Sequence, residues 1–248
     1  MTSNSDDDHA GTAFTRQLCS SHAALAERVL AAVREAVLGA VRERGSASLV
    51  VTGGSTAREV YPALAALELP WQRVRLALSD ERMVHSSHTD SNERLVRECL
   101  LQGPASAAEL VPLYCEADAA RGATLSAAAA RLATLARPFD LVLLGMGVDS
   151  HIASLFPGAS GVEAALAPVN AQSCCTVQPP PGVEPALPRL SLTLATLMDS
   201  RRVVIMAPAQ PSWRPSSAPR SATGRGPRPC MRSRCMHGRR LTSSGALE

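Results

Sequence analysis

The chain has 248 residues and 46% hydrophobic content, enough for a sizeable core, which excludes wholesale disorder, a fibrous repeat and a small disulfide knot. Its longest apolar runs fall far short of the roughly 20 residues that cross a bilayer, and residues 1–11, with Asp6, Asp7 and Asp8, lack a secretory-signal pattern, so a soluble, cytoplasmic chain is expected. The net charge of +3 conceals segregation: residues 1–200 carry 15 Arg against 21 acids, residues 201–248 carry 10 Arg and one acid, and the absence of lysine excludes Schiff-base chemistry.

From residue 16 to residue 44, Leu25, Val29, Leu30, Val33, Val37 and Val41 recur at three- and four-residue spacing, predicting a long opening helix that stops near Gly45. Residues 48–52 form a short β-branched run ending at Gly53-Gly54, and Ser55-Thr56 then offers a cap to a helix over 57–67. A second strand is predicted over 74–78, followed by the charged run Ser79-Asp80-Glu81-Arg82 and a helix over 91–101. A helix over 119–136 leads into a strand over 139–144 and a third glycine turn, Gly145-Met146-Gly147. Further strands are predicted over 174–177, 189–193 and 202–206. Strands alternating with helices predict a three-layer α/β/α fold with a mostly parallel, Rossmann-like central sheet. Ligands bind such sheets at the carboxyl ends of the strands, where the three polar turns would share one pocket.

Residues 208–248 hold many Pro, Arg, Ser and Gly residues without periodicity, a composition for which no structure is expected. The domain limits read as a tail over 1–12, an α/β domain over 13–207 and this atypical segment, a divergent terminus or a reading-frame product. Its arginines lack interleaved aromatics apart from Trp213, so a nucleic-acid partner is not expected. The seven cysteines, an odd number without a C-x-x-C pair, read as reduced thiols.

Gly53, Gly54, Ser55 and Thr56 place free backbone N–H groups where a strand enters a helix, a site for a phosphate or another anion. A hydrolase nucleophile at Ser55 would need a glycine where Ala57 stands. Gly145 and Gly147 begin a dinucleotide fingerprint that fails at Ser150. Asp149 lies two residues before His151, and a carboxylate there would fix the tautomer and raise the basicity of a histidine acting as general base. Arg82 offers a planar fork for phosphate, and Asp80 and Glu81 offer acceptors for sugar hydroxyls. His85, His88 and Asp90 lack the partners of a familiar zinc site.

Three motifs carry a resemblance. They are Gly53-Gly54-Ser55-Thr56 after a strand; Leu78-Ser79-Asp80-Glu81-Arg82-Met83-Val84 with Asp90-Ser91-Asn92; and the run from Leu144-Gly145-Met146-Gly147-Val148-Asp149-Ser150-His151 to Phe156-Pro157-Gly158. The chain resembles the 6-phosphogluconolactonases of the glucosamine-6-phosphate isomerase and deaminase superfamily, and Arg189 is similar to an arginine of a later strand in that family. The resemblance implies hydrolysis of the δ-lactone of 6-phosphogluconate without metal or organic cofactor, by a monomer or weak homo-oligomer acting on a small sugar phosphate. It further implies that His151 is the general base, oriented by Asp149. Gly53, Gly54, Ser55 and Thr56 would hold the phosphate, Arg82 and Arg189 would add positive charge, and Asn92 would contact hydroxyls or support the loop. Two alternatives stay open: an amino-sugar-phosphate isomerase or deaminase, and a non-catalytic sugar-phosphate binder. Two departures from the pattern stand out, Ser150 where the family has glycine and the altered terminus beyond residue 207.

Overall fold

The computed structural model describes residues 16–147, 149–208 and 234–238. Strand β1 (Arg16–Cys19) precedes helix α1 (His22–Arg44), so the expected opening helix begins six residues later than its periodicity suggested. Ser21 caps α1 by accepting from the Ala24 N–H at 3.1 Å, and pairing with a neighbouring strand takes residues 16–19 into the sheet. The helix ends at Gly45, whose φ of 76° only glycine adopts cheaply. Its stripe of Leu25, Val29, Val33 and Val37 is buried.

The alternation then proceeds as expected through β2 (Ala47–Val51), α2 (Ser55–Ala65) and β3 (Val74–Leu78). The charged run is neither loop nor exposed turn: Asp80–Arg82 is a strand, β4. Next come α3 (Asn92–Cys99) and the unanticipated edge strand β5 (Glu109–Val111). The expected helix over 119–136 is divided into α4 (Glu116–Ala120) and α5 (Thr124–Leu132), because Gly122 turns the chain at φ 67°. The remainder is β6 (Leu141–Gly145), α6 (Val162–Ala165), β7 (Cys174–Val177), β8 (Arg189–Leu192), α7 (Leu194–Met198), β9 (Val203–Pro208) and β10 (Arg234–Gly238).

Among the described residues, seven strands form one parallel sheet in the order β1-β10-β9-β6-β2-β3-β5, flanked by helices. All five residues of β2 are buried, as a central parallel strand covered on both faces requires. The segment for which no structure was expected therefore supplies one strand, β10, in register with β1 on one side and β9 on the other. The pairing partners on both sides, rather than a local pattern, define it. The other positions of the 208–248 expectation, apart from Pro208 in β9, and the tail over 1–12 lie outside the described residues. A second sheet is antiparallel, in the order β4-β8-β7, and joins the first through Ser79, whose N–H donates to the Val51 carbonyl and whose carbonyl accepts from the Leu192 N–H. No helix among the described residues is long and apolar enough to cross a membrane.

Candidate functional site

The three strand-end turns do meet. A cleft of about 240 Å³ is lined by Gly53, Gly54, Ser55 and Thr56 after β2, by Asp80 and Arg82 of β4, by Asn92 at the start of α3, by Gly145 at the end of β6 with Gly147 and His151 beyond it, and by Arg189 of β8. Ten of the eleven expected site residues belong to this neighbourhood, and Glu81 does not. Asp149 reaches it by its bond to His151.

Gly54 precedes α2 with φ 95° and offers no side-chain cap, so the first-turn N–H groups and the positive end of the helix dipole stay available to an anion. Gly53 is required for a different reason: a Cβ there would lie 1.9 Å from Asn92 Oδ1. Asn92 is buried against this loop, its Nδ2 donating to the Asp80 carbonyl at 2.9 Å, while its Oδ1 has no hydrogen-bond partner among the described residues.

The expectation that Glu81 accepts sugar hydroxyls is corrected. Its Oε1 accepts from the Arg82 and Asn92 N–H groups, both at 2.7 Å, and its Oε2 from Ser91 Oγ at 3.0 Å and the Glu93 N–H at 2.7 Å. Successive strand residues point to opposite sides, so Asp80 and Arg82 face the cleft while Glu81 turns back to hold the start of α3. Asp80 is buried too: Oδ1 accepts from Ser79 Oγ at 2.9 Å and Oδ2 from Ser154 Oγ at 2.6 Å.

Arg82 and Arg189 are directly opposed across the β4–β8 pair. Like charges so placed repel; burial and then the nearby Arg82 hold the Arg189 guanidinium below its ordinary pKa, against the pull of Asp80, Asp90 and Glu81. Arg189 Nε donates to the Leu187 carbonyl at 3.1 Å and Nη2 to the Pro185 carbonyl at 2.9 Å. Arg82 Nη1 donates to the Asp90 carbonyl, and its buried Nε has no partner among the described residues. Two guanidiniums beside an uncapped helix start could together receive an anionic group.

His151 Nδ1 meets Asp149 Oδ1 at 2.5 Å, leaving Nε2 free of that contact. Burial pushes the Asp149 carboxyl up, but the hydrogen bond and charge attraction of His151 outweigh it, and the net shift is downward. The turn is tight: Gly147 N–H donates to the His151 carbonyl at 2.9 Å and Ser150 N–H to the Gly147 carbonyl at 3.0 Å. Among its described residues, Ser150 and Ala153 stand at positive φ, 69° and 49°, without being glycine. The Phe156 ring lies 4.4 Å, centroid to centroid, from that of His151. The histidines of the 85–90 loop turn elsewhere, His85 Nδ1 to Ser87 Oγ at 2.8 Å. No group of three or more potential metal ligands occurs among the described residues.

Sequence reasoning missed Ser154 and Ser191, the second of which bonds the N–H of the first at 3.3 Å. It also left Gly147 without a role, although a glycine two residues before the Asp-x-His triplet is the available signal.

A parallel α/β sheet whose strand ends bring together an uncapped helix start, two arginines and a His–Asp pair defines an α/β protein with a polar cleft suited in charge to a small anionic molecule. A family model described as glucosamine-6-phosphate isomerases/6-phosphogluconolactonase matches residues 20–211, and the chain belongs to that family. A 6-phosphogluconolactonase of Rhizobium meliloti is 40% identical over 183 residues, covering 74% of this chain and 77% of the relative. One from Pseudomonas aeruginosa is 38% identical over 178 residues, covering 72% of each. The crystal structure of a 6-phosphogluconolactonase from Shewanella baltica superposes with a TM-score of 0.72 at 33% identity, covering 81% of this chain and 83% of that one.

Proposed function

We propose that this chain hydrolyses 6-phospho-D-glucono-1,5-lactone to 6-phospho-D-gluconate, with His151 as general base. The observation that carries the mechanism is the His151–Asp149 pair, at 2.5 Å, on the wall of the cleft that also holds the α2 start and both arginines. The N–H groups after Gly54, together with Ser55 and Thr56, take the phosphate and fix the sugar so that its carbonyl carbon meets a water near His151 Nε2. The water oxygen bonds to that carbon as Nε2 takes its proton, and the carbonyl oxygen becomes an oxyanion facing the guanidiniums. Collapse re-forms the carbonyl and breaks the bond to the ring oxygen, which receives the proton from His151 and leaves as a hydroxyl. The carboxylic acid then ionises.

The relatives support this reading over amino-sugar-phosphate isomerisation, a reaction that needs a further acid or base beside the histidine to move a proton at carbon 2, whereas residues 149–158 hold no acid besides Asp149. In the same proposal the residues that bind and turn over the lactone all lie within 13–207, with β10 completing the sheet behind them, and the chain acts in the cytoplasm as a monomer or weak homo-oligomer without a nucleic-acid partner.

The test is hydrolysis of freshly generated lactone by the wild-type chain and by His151→Ala, with spontaneous opening subtracted. Turnover lost in a folded variant is expected, with a drop of about 10²–10⁴ for removal of a general base. A folded wild-type chain that binds but does not turn over the lactone would leave only a sugar-phosphate binder.

A further inference from the structure

We infer that Asp80 and Ser191 are positioning residues, and that the β4–β8 ribbon acts as a ruler setting the distance between His151 and the arginine pair. The inference rests on the proposed role of His151. Asp80 and Ser191 are cross-strand partners on that ribbon, and Arg82 and Arg189 are the partner pair two positions along it. Residues two apart on a strand share a face, at about 3.3 Å per residue, so the two pairs lie side by side roughly 7 Å apart.

The first pair grips the loop that carries His151. Ser154 Oγ donates to Asp80 Oδ2 at 2.6 Å and Ser154 N–H donates to Ser191 Oγ at 3.3 Å, so the ribbon holds one residue of the loop by side chain and backbone together. Ser154 and Ser191 are both fully buried. The far end of the loop is fixed by the bridge between Met146 and Ile152. Between these anchors the chain keeps Ser150 and Ala153 at positive φ, and such conformations persist only where the surroundings over-determine them. The second pair faces the cleft. Phe156 forms an apolar strut between the two functions, its ring 4.4 Å from that of His151 and 5.9 Å from Arg189 Cζ. Base and guanidiniums come from segments far apart in sequence, and the ribbon makes them one rigid unit.

The experiment compares wild type with Ser154→Ala by lactone kinetics, by inhibition with inorganic phosphate and by the His151 ring-proton NMR resonance, identified by its loss in His151→Ala. Ser154→Ala is expected to keep its fold and its phosphate inhibition constant within about twofold, to lose 10- to 100-fold in kcat with little change in KM, and to shift or broaden the resonance; a displacement near 1 Å costs about that much. Ser191→Ala, which leaves Asp80 and its bond to Ser154 in place, gives the same pattern at smaller amplitude and decides the matter if Ser154→Ala does not fold. An unchanged resonance and kcat in a folded variant overturns the inference. So does a parallel loss of phosphate binding, which marks general damage. Failure of wild type to turn over lactone refutes the lactonase reading instead, and the resonance comparison still decides the positioning role.

Discussion

Gly147→Ala isolates the geometry of the base from its chemistry. A Cβ at Gly147 would lie 2.3 Å from His151 Cε1, 2.4 Å from Nδ1 and 2.7 Å from Asp149 Oδ1, where ordinary contact begins at 3.4 Å. The imidazole must therefore retreat by about 1.1 Å and the carboxylate by about 0.7 Å, the differences between those distances. The backbone at Gly147 does not need positive φ, so the methyl acts by collision rather than by strain. Misplacing a catalytic group by about 1 Å costs roughly 10²-fold, or about 2.7 kcal/mol of transition-state stabilisation. The assay is initial-rate lactone hydrolysis followed by acid release at constant pH, with thermal melting to show that the variant folds. Gly145→Ala adds the same methyl two residues earlier with nothing among the described residues within 4 Å, so any effect there should fall on KM and leave kcat within about threefold. A folded Gly147→Ala enzyme with wild-type kcat would refute the reasoning, because the histidine would then tolerate displacement or play no part.

Ser150 sits at φ 69°, a conformation that costs a non-glycine residue on the order of 1 kcal/mol. Ser150→Gly should leave stability equal or up to about 1 kcal/mol higher, since the greater freedom of unfolded glycine offsets part of the relief, whereas Ser150→Val should be clearly destabilised in urea. Asp149→Asn should keep the fold and lower kcat by about 10² or more, because the amide no longer fixes the imidazole as a carboxylate does. The Asp149 pKa is lowered in the folded chain, so the pair's contribution to stability is complete above the unfolded value near 3.8 and is lost as pH falls through the lower folded value. Wild type and Asp149→Asn should therefore converge in acid unfolding, and a difference that persists there would point to packing.

The legible parts of the sequence were those in which one local signal has one physical meaning. Glycines and hydroxyls at the end of an apolar run specify a strand entering a helix, and three such ends on one sheet specify a shared cleft. Glu81 was misplaced because three adjacent charges look alike until they are known to form a strand; alternation then sends Asp80 and Arg82 one way and Glu81 the other. Ser154 and Ser191 carry no local signal, because their role depends on a contact spanning 37 residues. Residues 16–19 continue a helical periodicity on paper, and only a neighbouring strand draws them into the sheet. That neighbour, β10, has no recognisable pattern of its own.

The last strand therefore decides how much of the atypical terminus this fold uses. β10 pairs with four residues of β1 and five of β9, and among the described strands it is the sole partner of β1. A chain ending after Pro208 leaves β1 without hydrogen-bonded neighbours, while β9 keeps its pairing with β6 and the cleft keeps every residue that lines it. Cys19, at the end of β1, reports on this directly: it is 3% exposed and burial raises its thiol pKa. Truncation should make Cys19 reactive toward a thiol reagent, while Cys174, also 3% exposed and in the separate β7 sheet, stays protected. Cys19→Ser in the truncated chain should remove the new signal. If Cys19 instead stays as slow to react as in the full chain, β10 does not anchor β1, and the sheet is complete without the terminus.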